Sequence, residues 1–444
     1  MALTIIFFLI YIAIVVTIGI VSARKESEDG FMIAERKLEG VQVAATMSAG
    51  FFDGATLSIY IAFLYLYGFS AIWLFVGIAL GFLFVRRLAP KIKQKADELK
   101  VYTMPEYFSK ILGKKNGLMF SFFLVLQFFL LLIVNLVISG KVLSAIFPIP
   151  YFLAVIIGGA IVLIYLLLAG FKAVVRTDFF QMIIMFVMSL SVGVFLFGKT
   201  AIPVSEFNLG TMGIGNIIGF LVLMGFGIMV APDLWQRIFA TKDERNLKRG
   251  LSYAAVILLI LGIVISILGL ATKQSFPHIA PEDALVTGFS QLLPFGLKEF
   301  GMVLLYAVAL SSSDTVTFVV SSIFTRDLKN YSKKYSEESM KKLTRFFIVF
   351  FIALAVAIGI FYQNILALGF SLASLNLALF PVVFGSLYWK LKENAVFWSL
   401  ILGFMSIAVL FATNQLNPQN AVISLPVVFL SLLIFQKLFK HNFN

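Results

Sequence analysis

SAGFFDGATLS, residues 48–58, sets an aspartate among glycines in the middle of a long apolar run. Glycine and aspartate are poor helix-interior residues, so the run reads as a membrane helix interrupted at Asp53. Two further carboxylates have related settings. Asp314 stands among hydroxyls in LSSSDTVT, residues 310–317, and Asp178 lies in RTDFFQ, residues 176–181, at the polar start of a span. None has a lysine or arginine beside it at mid-membrane depth. An ionised carboxylate there costs roughly 2.5–3.5 kcal/mol, and such residues mark ion or solute paths. Segments that are oxygen-rich, negative and half unwound suit a small hard cation.

The 444 residues are 61% hydrophobic and 13% charged, with a mean hydropathy of +1.01. A water-soluble surface cannot be built from this composition, so the fold class is an all-α polytopic membrane protein. Residues 2–23 form too long an apolar run for a signal peptide and read as a retained first span. Without cysteine there is no disulfide, thiolate nucleophile or thiolate metal site. His278 and His441 fall in a loop and in the C-terminal tail, which argues against a histidine-based catalytic or metal centre.

Crossing a core of about 30 Å takes roughly 20 helical residues. Thirteen runs meet that length, the first at 2–23 and the last at 420–438. An odd number puts the termini on opposite sides. Of the 35 Lys and Arg, all but Lys141, Lys199, Lys273 and Lys298 fall on one side, which predicts an N terminus outside and a C terminus in the cytoplasm. The expected location is the plasma (inner) membrane. The net charge of +13 is then topology and attraction to anionic lipid of the bilayer, with no need of nucleic acid. In the loop at 91–116, Met104, Tyr107, Phe108 and Ile111 recur at helical spacing and predict a short interfacial helix with a packing role.

The second to sixth spans open on SAGFFDGATLS. The seventh to eleventh open on LVLMGFGIMVAPDLWQR, residues 221–237, with Gly225, Gly227 and Pro232. Two five-helix sets, each starting with a glycine-interrupted span, predict an inverted repeat. The expected division is a leading helix and loop at 1–38, a first repeat at 39–198, a second at 215–388 and two C-terminal helices at 389–444. Breaks in such repeats face one another near the midplane and offer free carbonyls and amides as ligands.

Ser311, Asp314 and Thr315 are spaced i, i+3 and i+4 and share a helix face, while Ser312 is rotated by about 100°. A single buried Ser or Thr ordinarily bonds its own helix's carbonyl. Five consecutive polar side chains at 311–315 need more partners than that supplies. Asp178, with Thr177 and Gln181, forms a second cluster whose plainer explanation is an interfacial N-cap.

AGFKAVVRTDFFQ, residues 169–181, resembles the signature of the sodium:solute symporters, a pair of glycines followed by A-V, T-D and Q. SAGFFDGAT and ALSSSDTVTFVVSSIFTRDL, residues 309–328, resemble the first and eighth core helices of the proline-type members. The resemblance runs in order from the first span to the last. Ala169 replaces the first signature glycine and Arg176 adds a charge beside the T-D pair.

This resemblance implies a LeuT-like core of ten helices, the second to eleventh spans, with broken first and sixth core helices and transport by alternating access. It implies a sodium site made by the carbonyls of Phe51, Gly54 and Val308 and the hydroxyls of Ser311 and Ser312, with Asp53 acting on sodium affinity. A second site, for sodium, a proton or nothing, would use Asp178, Ser311, Asp314 and Thr315. The solute would be lined by Ala55, Ser58, Gln127, Asn135, Met224, Gly227, Ser371, Ser374 and Asn376.

No cofactor beyond sodium as coupling ion is implied. Gly227 matches a gating tyrosine of galactose-type members, and residues 71–84 carry no acid or amide to clamp hydroxyls, which disfavours a sugar. Proline or another amino acid fits, with a monocarboxylate or pantothenate-like acid as the competing solute. An enzyme is disfavoured because the three acids sit in dissimilar contexts without a DDxxD, HExxH or GxGD-type arrangement. A transporter-like sensor remains the alternative of a different class.

Overall fold

The computed structural model describes residues 2–22, 36–168, 171–331 and 337–439. Among these the secondary structure is helical apart from one isolated parallel bridge between Leu38 and Thr241. After α1 (Ala2–Ser22) come α2 (Gly40–Phe51) and α3 (Gly54–Tyr67), the two halves of the span that begins the argument above. The break has a local cause. Phe52 leaves helical geometry at φ −103°, ψ 50°, and Asp53 is extended at φ −90°, ψ 172°. The Asp53 carboxylate then accepts the Thr56 N–H at 2.7 Å and caps α3, the role for which aspartate is suited. Gly68 follows at φ +65°, where a Cβ would come within 2.7 Å of Glu206, so the turn out of α3 requires glycine.

The chain continues through α4 (Trp73–Leu99), α5 (Met104–Leu112), α6 (Lys114–Ile146), α7 (Tyr151–Leu168) and α8 (Phe171–Phe197). The expected interfacial helix is α5, opened by a capping box between Thr103 and Glu106. Its Phe108 stacks on Phe120 with ring centroids 3.9 Å apart, and Tyr107 and Phe108 flank Trp235.

The second interrupted helix consists of α9 (Gly213–Gly227), one 3₁₀ turn at Ile228–Val230, an extended Ala231, and α10 (Pro232–Ala240). Proline at the first position of α10 removes a helix donor that would lack a partner anyway, and the Trp235 indole N–H satisfies the freed Met229 carbonyl at 2.7 Å. Then follow α11 (Glu244–Ser275), α12 (Ala284–Gln291), α13 (Leu297–Tyr331), α14 (Glu337–Phe361), α15 (Ile365–Ser386), α16 (Glu393–Ala412), α17 (Pro418–Ala421) and α18 (Ser424–Leu438).

Ten helical stretches among the described residues are long and apolar enough to cross a membrane. One of them, 54–99, covers parts of two expected spans, and Leu3–Ile14 and Tyr151–Ile164 are shorter apolar helices. The core centres on α13 packed along α6, with α2 and α4 against α11 and α9 against α4. Small residues permit the last contact. A Cβ on Gly81 would sit 2.8 Å from the Gly225 carbonyl, and one on Gly77 2.8 Å from that of Phe220, so backbones meet where a side chain could not fit. The inner halves α2 and α10 are tied end to end: Leu38 N–H bonds the Ala240 carbonyl and Lys242 N–H the Leu38 carbonyl, both at 3.0 Å.

Candidate ion and solute site

Both breaks open on one central cavity of about 130 Å³. From α2, α3 and the break between them it is lined by Phe51, Asp53, Ala55 and Thr56; from α6 by Gln127 and Phe128; from α9 by Met224 and Gly227; from α13 by Ser312 and Thr315; and from α15 by Phe370 and Asn376. Asp53 is 3% exposed. A Cβ at Gly54 would lie 3.1 Å from Asn135 Oδ1 and 3.2 Å from Ala309 Cβ, so the break is seated directly on α13 one residue past Val308. The segment carrying the expected carbonyls of Phe51 and Gly54 therefore meets the helix that carries Val308 and Ser312.

The remaining expected residues divide. Ser58 is buried but is not part of the cavity wall. Asn135 donates to the Leu131 carbonyl at 3.1 Å and leaves Oδ1 beside Gly54 without a partner. Ser371 returns its hydroxyl to Ala367 of its own helix. Ser374 turns away from the cavity and donates to Ala421 at 3.0 Å, while Ser424 donates to the Ser374 carbonyl, so this serine joins α15 to the C-terminal helices. On α13, Ser313 and Thr317 bond their own helix. Thr315 donates to Asp314 at 3.2 Å, and Asp314 is 1% exposed. The side chains of Asp178 and Ser311 lie outside the described residues.

One pair escaped the sequence reading. Asp233, at the start of α10, lines the same cavity as Asp53. Its Oδ2 accepts from Arg237 Nη1 at 2.7 Å, and Arg237 Nε donates to Thr46 Oγ1 on α2 at 2.9 Å. Arg237, counted above among the charges of the basic surface, is 1% exposed. Gly50 lets this cluster approach: a Cβ there would stand 3.2 Å from both Arg237 Nη2 and Asp233 Oδ2. The available signal was the i, i+4 acid–base pair in DLWQR just after the break.

A second cluster involves the leading helix. Gln181 Nε2 on α8 donates to the Tyr11 hydroxyl at 2.8 Å, which lies 3.5 Å from the Ala307 carbonyl on α13. The polar groups facing the cavity are oxygen-rich, with Gln127 Oε1 and Asn376 Oδ1 lacking any partner. No Lys, Arg or His contributes to the wall. Among the described residues no group of three or more His, Cys, Asp or Glu is placed to hold a metal ion, so a cation here would meet main-chain and hydroxyl oxygens beside single carboxylates.

Known proteins share this sequence pattern and fold. Residues 31–403 match the model of the sodium:solute symporter family. The chain is 25% identical to the osmoregulated proline transporter OpuE of Bacillus subtilis over 96% of its own length and 92% of that protein's. It is 26% identical to a sodium/proline symporter of Staphylococcus aureus, covering 86% and 80% of the two chains. The fold is similar to that of a Na+-coupled sialic acid symporter solved in a substrate-bound outward-open state, with a TM-score of 0.86, 16% identity and coverage of 100% and 99%. A nucleobase-cation-symport-1 family transporter aligns with a TM-score of 0.58 at 12% identity, covering 94% of each chain. The chain therefore belongs to the sodium:solute symporter family, whose members are membrane transporters and not enzymes.

Proposed function

We propose that this symporter couples sodium entry to uptake of a small zwitterionic solute, proline or another amino acid, by alternating access around the central cavity. The carrying observation is the charge of the wall. Asp53, Asp233 with its Arg237 partner, and the oxygens of Gln127 and Asn376 face a small, largely apolar space whose described lining includes no basic side chain. A plain carboxylate would enter beside carboxylates with amide and hydroxyl donors but no positive charge in the described lining to balance it, and unmet buried charge is strongly unfavourable. An ammonium group finds counter-charge. The apolar side chains of Phe128, Leu131 and Phe370 suit the hydrocarbon part of such a solute.

In this reading sodium is held by the carbonyls of Phe51, Gly54 and Val308 and the hydroxyls of Ser311 and Ser312, near Asp53. Asp178, Asp314 and Thr315 serve a second cation, sodium or a proton. Ala55, Met224, Gly227 and Asn376 border the solute, and Ser58, Asn135, Ser371 and Ser374 act through packing. Thirteen spans, with residues 39–198 and 215–388 as inverted repeats, put the N terminus outside and the basic surface in the cytoplasm. Moving one positive charge across 100 mV supplies about 2.3 kcal/mol, near 40-fold accumulation.

Uptake of radiolabelled proline and other amino acids into proteoliposomes, with an imposed inward sodium gradient, is the test. Uptake that needs sodium, and is competed by amino acids but not by monocarboxylates or pantothenate, is the expected result. Competition by the plain acids alone would replace the solute assignment. Solute binding with no accumulation under any gradient would indicate a sensor.

A further inference from the structure

Arg86 on α4 and Arg245, Lys248 and Arg249 on α11, with the single acid Glu244, line one surface cavity of about 620 Å³ at the basic end of the molecule. Positions 245, 248, 249 and 252 fall on one face of α11 by helical spacing, and Arg86 reaches the same space from the neighbouring helix. Lys248 is paired with Glu244 one turn earlier. The guanidinium groups of Arg86, Arg245 and Arg249 have no acidic, hydrogen-bonding or aromatic partner among the described residues. On the same helix as Arg86, Lys93 meets Asp97, which also pairs with Arg36, and Lys95 meets Glu98. Three unanswered like charges around one cavity repel one another unless an anion joins them.

The surface below that cavity is apolar. Tyr253, half-exposed, borders it at the end from which α11 continues as an apolar helix, the kind of residue that marks a membrane interface. Beyond it Val256, Ile260 and Ile263 are exposed in sequence along α11, and Leu83 and Leu80 are exposed one and two turns from Arg86 on α4. Head-sized cationic space therefore continues into an apolar track built from the same two helices. Guanidinium forks match phosphate oxygens two at a time, and the track matches an acyl chain.

We propose that the cleft between α4 and α11 at Arg86, Arg245 and Arg249 is a binding site for one anionic phospholipid, its phosphodiester on the arginines and a chain along Tyr253, Val256 and Ile260. Free phosphate would use the arginines but not the track. The site lies apart from the central cavity and does not depend on the transported solute.

The test is native mass spectrometry and fluorescent phosphatidylglycerol binding on the purified full chain in detergent. It compares the parent, the triple variant Arg86→Gln/Arg245→Gln/Arg249→Gln, and a charge-matched control, Arg87→Gln/Lys95→Gln/Lys100→Gln. One retained phosphatidylglycerol per parent chain, at least about tenfold weaker binding in the triple variant and parent-like binding in the control are expected, given roughly 1 kcal/mol per basic residue at an anionic surface. Equal weakening in the control would reduce the effect to the general field of a basic surface and overturn the site. Equal retention of phosphatidylcholine, or displacement of the lipid by inorganic phosphate at matching concentration, would overturn the lipid assignment. Should the triple variant not fold, Arg249→Gln alone carries the same comparison.

Discussion

Arg237 Nη1 lies 2.7 Å from Asp233 Oδ2 one turn away on α10, and the same guanidinium holds Thr46 of α2. The pair thus bridges the inner halves of both broken helices at the wall of the central cavity. Removing one partner strands the other as a buried charge, which costs on the order of 3–5 kcal/mol, whereas replacing both costs less. Arg237→Met is expected to lower the unfolding temperature of the detergent-solubilised protein sharply, and Arg237→Met/Asp233→Asn to recover more than half of the loss. Additive losses in that double-mutant cycle would show that the two side chains do not act as a unit.

The sodium site predicts a different signature. Ser312 lines the cavity beside Thr315, and with Ser311 it would supply two of about five oxygens around the ion. Ser311→Ala/Ser312→Ala is expected to raise the sodium concentration for half-maximal uptake at least about tenfold, a loss of roughly 1.4 kcal/mol, with thermal stability close to the parent's. Unchanged sodium dependence would remove the ion from this location.

Much of this was readable before any coordinates, for reasons that differ by residue. Asp53 was legible because charge and glycine inside an apolar run conflict with a continuous helix, and the conflict resolves locally as an N-cap. The α5 helix is legible through the helical spacing of Met104, Tyr107, Phe108 and Ile111. Asp233 was not legible. It follows Pro232 and precedes Arg237 by four residues, so the segment reads as the charged end of a span, and only tertiary packing reveals that Arg237 is buried on Thr46 and Gly50. Ser374 failed in the opposite sense. Its position on α15 was right for a lining residue, but the rotation of α15 is set by Ala421 and Ser424 in helices outside the repeats. No periodicity within α15 encodes that rotation.

Gly227 offers a steric test of the cavity. The nearest atom to a Cβ placed there is Asn376 Cβ at 3.8 Å, so a side chain enters without backbone strain and projects among the lining residues. Gly227→Leu is expected to fold and bind sodium as the parent does, while the solute concentration for half-maximal uptake rises by roughly an order of magnitude or more, because added volume in a fitted space is costly. Parent-like solute affinity in this variant would move the solute elsewhere.

The leading helix reaches the segment proposed to hold sodium through Tyr11, which receives the Gln181 amide N–H at 2.8 Å and approaches the Ala307 carbonyl beside Val308. Tyr11→Phe keeps the ring and removes the hydroxyl. A buried hydrogen bond is worth about 1 kcal/mol, so sodium half-saturation is expected to rise about fivefold with the solute preference order unchanged. A fall in expression without a change in sodium dependence would confine Tyr11 to packing.

Asp53 separates ion from solute recognition, because asparagine caps a helix as well as aspartate does and Asp53→Asn should preserve the break. The Asp53 carboxylate lies at the break between Phe51 and Gly54, where it accepts the Thr56 N–H, and Asp233 lines the same cavity. A carboxylate beside a monovalent cation is compensated for its burial even with no solute bound, so Asp53 is assigned to sodium. Asp53→Asn is then expected to weaken sodium binding to the solute-free protein, measured by calorimetry, and to leave the order of preferred amino acids intact. Equal sodium affinity in Asp53→Asn and the parent would transfer Asp53 to the solute and leave the ion to neutral oxygens alone.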